Sequence, residues 1–395
     1  MHVRHPAISA HAEAAHRAAA PFMEFLADSA WLHRAPGDGV CDFLFGNPQD
    51  MPVPGYVDAL RRATVPHDPA WFAYKLNEAP ARAAAAASLR RRLGLPYEDE
   101  DLFLTKGAWG ALAIALQTVV GAGDEVIFVS PPWFFYESLI ALVGGTPVRV
   151  RIDLDTFDLD LDAIAASITP RTRAIVVNSP NNPSGRIYPP ALLERLGRLL
   201  TEASADHGRA IYLLSDEAYN RILFDGRSFP SPTAHYPWSF LIYSYGKTLL
   251  APGQRLGYLA LAPTMPDRGR MREAVFHVQF VAYGLPDAVL QYALPEIEPL
   301  CIDLAALQRR RDVLVGGLRS QGYELHVPEG TFYLLPRCPI PDDVAFAKGL
   351  AADDVLVLPG RLVEMPGWFR LSLTASDEMV ERAIPRFKAA IDAAR

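Results

Sequence analysis

The stretch FLIYSYGKTLLAPGQRLGYLALA, residues 240–262, carries the reading that decides the fold. It opens on an apolar run of strand length, Phe240–Tyr243, that breaks into Ser244-Tyr245-Gly246-Lys247. A second run, Tyr258–Ala262, follows a Pro-Gly turn. Toward the N-terminus the same form recurs at Glu125–Val129, Val148–Ile152, Ala174–Val177 and Ile211–Leu214, with amphipathic stretches such as Ala108–Val120 and Pro190–Ala205 between several of them. Short Val, Ile and Leu runs alternating with helices predict a mainly parallel sheet covered on both faces, a three-layer α/β arrangement.

Three of these strands run into polar residues. Ala174–Val177 leads to NSPNNPSG (178–185), Ile211–Leu214 to SDEAY (215–219), and Phe240–Tyr243 to SYGK. Taken alone these are a turn, a helix cap and a surface lysine. Together they would converge, because ligands of open parallel sheets bind beyond the carboxyl ends of the strands.

Outside this region the pattern changes. Helical spacing of Ala, Phe and Leu from Pro6 to Leu32 predicts an N-terminal helix. After Pro295 come a long helix (Asp303–Ser320), two short strands, a helix near Val344–Leu350, two more strands and a last helix, an α+β layout. The expected division is an arm, 1–44, belonging with a small C-terminal domain, 296–395, and a large domain, 45–295. A length of 395 residues suits two or three domains.

The formal charge of −7 gives no electrostatic case for nucleic acid or an anionic membrane. No stretch approaches the ~18 consecutive apolar residues of a membrane span. Cys41, Cys301 and Cys338 are far apart, without metal-type spacing, and predict a reducing, cytoplasmic setting rather than a disulfide framework. The runs Arg90–Arg92 and Arg309–Arg311 read as solvated helical faces. No G-x-G-x-x-G joins an early strand to a helix, which argues against a nicotinamide dehydrogenase.

In their order, NNPSG, SDEAY and SYGKTLLAPGQRLGY resemble the fold-type I pyridoxal-5'-phosphate (PLP) enzymes of the class I/II aminotransferase family, aspartate aminotransferase-like, from about Gly46 to Arg370. The resemblance implies a fold of a three-layer PLP-binding domain with a small α+β domain. It implies that Lys247 holds PLP as a Schiff base and moves the substrate's Cα proton. Asp216 would pair with the pyridine nitrogen, and Tyr219 and Asn182 would hydrogen-bond the ring oxygen. Trp133, in SPPWFFY, would stack on the ring. Gly107, Ala108 and Trp109, at a helix start, would hold the phosphate with Ser244 and Arg255. Tyr74 would reach the phosphate of a neighbouring subunit, which implies a homodimer with shared active sites. Arg370, in WFRLSLT, would grip the substrate carboxylate, helped by Asn182 and the backbone of Gly46. Gly246 and Ala79 depart from the family pattern, which has serine and glycine there.

The implied activity is transfer of an amino group from an L-amino acid to a 2-oxo acid. Oxidation, elimination or cyclisation on the same cofactor is the alternative, and a non-catalytic PLP-binding protein is a third reading. Phe22, Phe25, Tyr136 and the Phe280–Leu285 loop are the expected side-chain pocket, which points to a neutral or hydrophobic substrate. Arg361 and Arg221 have no place assigned by the sequence.

Overall fold

The computed structural model describes residues 8–33 and 39–394. Its strands in chain order are β1 (Cys41–Asp42), β2 (Leu102–Thr105), β3 (Glu125–Ser130), β4 (Thr146–Arg151), β5 (Thr172–Asn178), β6 (Tyr212–Asp216), β7 (Ser239–Ser244), β8 (Gly257–Leu261), β9 (Tyr333–Leu334), β10 (Val355–Leu356), β11 (Leu358–Pro359) and β12 (Phe369–Ser372). A seven-stranded sheet has the order β2-β8-β7-β6-β5-β3-β4. Only β8 runs antiparallel to its neighbours; the other adjacent pairs are parallel. The six strands read from the sequence fall within two residues of β3 to β8 at each end. β2, four residues long beside a turn, gave too short a run to show.

Side chains alternate between two buried faces. Along β5, Ala174 and Val176 pack into the layer of the helix Gly107–Val119, while Ile175 and Val177 meet Leu192, Leu193 and Leu196 of the helix Pro190–Asp206. Both faces are covered, so the strands read as unbroken apolar runs. From β3 the chain goes outward to β4 and then returns to place β5 on the other side of β3. That reversal opens a crevice at the carboxyl ends of β3 and β5.

In the C-terminal part, helices Leu304–Gln321 and Asp377–Ala393 pack on an antiparallel sheet of order β11-β12-β9. The described residues before 45 touch both parts. β1 pairs with β10, and the helix Ala10–Asp28 packs on the helix Tyr136–Leu142 beside the large sheet. Pro6 and Ala7, expected to open that first helix, lie outside the described residues.

Of the arginine runs, Arg90, Arg91 and Arg309 are exposed as expected, whereas Arg92, Arg310 and Arg311 depart from the expected solvated faces. Arg310 pairs with Asp50 and Asp377, Arg311 pairs with Asp225 and Asp312, and Arg92 bonds Ser88 and Asn220. Asp50, Asp225, Asp377 and Asn220 come from distant segments, beyond the reach of local periodicity. Among the described residues no helix is long and apolar enough to cross a membrane.

Candidate active site

The crevice collects the polar ends of three neighbouring strands. Asn178 and Asp216 end β5 and β6 and face each other in register. Ser244 ends β7, and the single helical turn Tyr245–Thr248 that follows presents Lys247. These residues line a cleft of about 370 Å³ together with Ala108, Trp109, Trp133, Asn182, Tyr219 and Arg255. Nine of the residues expected at the site are therefore brought together: Ala108, Trp109, Trp133, Asn182, Asp216, Tyr219, Ser244, Lys247 and Arg255.

Lys247 Nζ lies 5.7 Å from the ring centroids of both Tyr219 and Phe332. Burial raises the Asp216 carboxyl above its usual range; the Tyr136 hydroxyl at 2.5 Å, the Ala218 amide at 3.3 Å and the positive charge of Lys247 oppose that shift.

One end of the cleft is an anion cradle. The helix Gly107–Val119 starts there with no side-chain cap on its first amides. Gly107 has φ +75°, and a Cβ at that position would sit 2.6 Å from Arg255 Nη2 and 3.4 Å from Ser244 Oγ. A glycine is required for the helix start, the hydroxyl and the guanidinium to approach one another. Arg255 donates only to the carbonyls of Pro252 and Lys106 among the described residues, so its charge is open to a dianion. An amine, a buried acid, an aromatic wall at Trp133 and this cradle fit pyridoxal phosphate.

Arg370, on β12, is 1% exposed. Its Nη1 donates to Asn182 Oδ1 and its Nη2 to the Leu44 carbonyl, both at 3.1 Å, and its Nε has no partner. The guanidinium lies over Tyr333 at 4.1 Å. Burial pulls its pKa down. A buried cation whose acceptors are neutral suits an incoming carboxylate. Gly46 packs under the same aromatic pair, where a Cβ would fall 2.5 Å from Phe332 and 2.8 Å from Tyr333 Oη.

Tyr74, expected to act in a neighbouring subunit, is fully exposed and outside this chain's own cleft. Expectations for the side-chain pocket are corrected. Phe22 lines the cleft as expected, but Phe25 lines a separate apolar groove with Trp31 and Ala347. Phe280 and Val281 are exposed, and Tyr136 turns to Asp216 instead of the side-chain pocket. Arg361 pairs with Asp342 and Asp343, and Arg221 with Glu298, away from the cleft.

Sequence reading missed Asn178. Its Nδ2 donates to the Asp216 carbonyl (2.9 Å) and its Oδ1 accepts the Asn182 amide (2.7 Å), which ties β6 to the Asn-Pro loop. Its position at a strand end before that loop was the available signal. Phe332 and Tyr333 gave no periodic signal.

The sequence profile of the family "Aminotransferase class I and II" matches residues 42–387. An aspartate/prephenate aminotransferase of Thermus thermophilus is 32% identical, over 90% of this chain and 91% of its own length. An aminotransferase structure from Eubacterium rectale superposes with a TM-score of 0.86 at 29% identity, covering 94% of this chain and 98% of its own. The aspartate aminotransferase of Thermus thermophilus with maleate gives 0.80 at 30% identity, over 98% and 100%. With nearly the whole chain matched in sequence and in fold, the protein is a PLP-dependent transferase and belongs to the class I and II aminotransferases.

Proposed function

We propose that this aminotransferase takes the amino group of an L-amino acid with a neutral or hydrophobic side chain, passes it to a 2-oxo acid, and holds its cofactor on Lys247 as a Schiff base. Arg370 binds the substrate carboxylate as a planar fork, and Asn182, already bonded to Arg370, orients beside it. Asp216 keeps a proton on the cofactor's ring nitrogen, and Lys247 carries the Cα proton. Gly107, Ala108, Trp109, Ser244 and Arg255 hold the phosphate, Trp133 fixes the ring plane, and Tyr219 bonds the ring oxygen. Bound pyridoxal phosphate supplies a ring that accepts electrons from the substrate's Cα.

The side-chain preference rests on one observation: the wall next to Arg370 is aromatic. Phe22 stacks on Phe134 at 4.2 Å and Trp109 on Phe135 at 4.9 Å, with Phe45 alongside. The cations lining the cleft are Lys247 and Arg255. A second substrate carboxylate would lose its water among these rings without a partner, at a cost of several kcal/mol. An apolar side chain gains roughly 25 cal/mol per Å² buried.

Half-reactions with a panel of amino acids, followed by cofactor absorbance and released oxo acid, test this. We expect kcat/KM for phenylalanine or leucine to exceed that for aspartate by about 10-fold or more. Aspartate in the lead would sink the assignment.

A homodimer with shared sites is supported by Tyr74, which stands free beside exposed Phe72 and Leu76. Three unpaired cysteines support a cytoplasmic location.

A further inference from the structure

Tyr136 is the first residue of the helix Tyr136–Leu142, one turn beyond Trp133, and its amide donates to the Trp133 carbonyl at 3.1 Å. The ring is 3% exposed and packs edge-on against Trp133, centroids 5.6 Å apart. The hydroxyl donates to Asp216 Oδ2 at 2.5 Å, its one hydrogen-bond acceptor among the described residues. A phenol this deeply buried usually needs one such partner. Here the partner is the single acid among the described residues lining the cleft.

We propose that Tyr136 is a positioning residue for the cofactor's ring nitrogen, acting through Asp216: its hydroxyl withdraws electron density from the carboxylate, and the proton shared between carboxylate and nitrogen stays on the nitrogen. The inference rests on the Lys247 and Asp216 roles proposed above.

The physical argument is a competition between two proton holders. Burial makes Asp216 a better base than an exposed aspartate and so draws the shared proton toward oxygen. A short bond from a neutral donor offsets this by stabilising the ionised carboxylate. Burial, and then the Asp216 charge, push the Tyr136 phenol well above its ordinary range, so it remains a donor at every working pH. The titratable groups facing the pair are Lys247 on the turn after β7, Tyr219 beyond β6, and Tyr188 on the far side of Tyr136. Lys247 is the cation among them, and it is the residue that the cofactor consumes. With the cofactor in place, Tyr136 and the Ala218 amide remain as the donors to Asp216. The Ala218 contact is the longer one, so the hydroxyl dominates.

The same segment therefore serves the ring twice: Trp133 faces its plane, and Tyr136, one turn on, sets the basicity of the acid at its edge. A histidine could play this part, but a tyrosine does so without taking a charge of its own.

The test compares Tyr136→Phe, which removes the oxygen alone, with Asp216→Asn and with the double variant, all as holoenzymes. Three readouts are taken: the pH titration of the visible band of the lysine-bound cofactor, cofactor affinity from titrating the apoprotein with pyridoxal phosphate, and kcat against KM. A less protonated ring withdraws fewer electrons, so the band's pKa should rise in Tyr136→Phe by about half a unit to one unit. Over the same change kcat should fall on the order of 10-fold, with a smaller effect on KM. In the Asp216→Asn background the Tyr136→Phe shift should disappear, because the route through Asp216 is gone. An unchanged band pKa in Tyr136→Phe overturns the proposal, and so does a shift of equal size in both backgrounds. Wild-type protein that shows no such band after loading overturns the Lys247 assignment first, an outcome distinct from either of those.

Discussion

Arg311 and Arg370 are hidden to nearly the same degree, 3% and 1% exposed, and each guanidinium lies over a ring, Phe224 at 4.7 Å and Tyr333 at 4.1 Å. Their partners differ. Arg311 meets two carboxylates, Asp225 and Asp312, and also the Pro328 carbonyl. Among the described residues Arg370 donates only to the Asn182 side chain and the Leu44 carbonyl. Burial lowers the pKa of both, but the bonds to Asp225 and Asp312 lift Arg311 above its ordinary range, while Arg370 stays below. A buried charge neutralised within the chain holds the chain together. One left without a counter-charge is kept at some cost to stability, and a ligand's opposite charge offsets that cost.

This contrast predicts opposite responses to substitution. Arg370→Lys should lower kcat/KM on the order of 100-fold, since an ammonium cannot make the planar two-bond contact. Its melting temperature should stay nearly level, because the substitution keeps the charge and breaks no ion pair. Arg311→Met should do the reverse: the two acids lose their partner and stability falls by about 2 kcal/mol. That is less than the ~3–5 kcal/mol for a fully buried pair, because Asp225 is 44% exposed. Its KM should be unchanged. Thermal melts and steady-state kinetics on both variants check the pair, and a common phenotype would erase the distinction.

The same contrast explains what was legible in the sequence. Asp216 and Lys247 could be found because each follows a short apolar strand, and both the strand and its polar end are local patterns. Arg310 and Arg311 were misread because three of their four acids, Asp377, Asp225 and Asp50, lie 67 to 260 residues away. Arg370 was recovered through the family resemblance alone; nothing in WFRLSLT distinguishes it from an exposed strand arginine. The role of Tyr136 depends on how the chain turns after β3, which places the first residue of a seven-residue helix against the end of β6. No period in the sequence encodes that turn, and the neighbouring aromatics made a pocket wall the simpler reading. Phe25 failed for the related reason that one helix carries both it and Phe22, and only Phe22 faces the cleft.

Asp216 and Glu217 repeat the contrast between adjacent residues. Asp216 opens into the cleft, whereas Glu217 is fully buried behind it, accepting bonds from the Ser215 and Ser231 hydroxyls and the Asn220 amide. No arginine or lysine pairs with Glu217 among the described residues, and burial raises its pKa from 4.5 to about 7 despite those bonds. Between these two values the folded protein binds a proton that the unfolded chain has released. Stability should therefore fall as pH rises through that window, by up to about 1.4 kcal/mol per pH unit, and level off on either side. The hydroxyls can rotate to serve a neutral amide, so Glu217→Gln should keep the packing and remove the slope. Denaturant unfolding between pH 5 and 8 reads this directly. A slope that survives in the variant would assign the pH dependence elsewhere and leave Glu217 ionised, a second uncompensated charge only one residue from the first acid of the cleft.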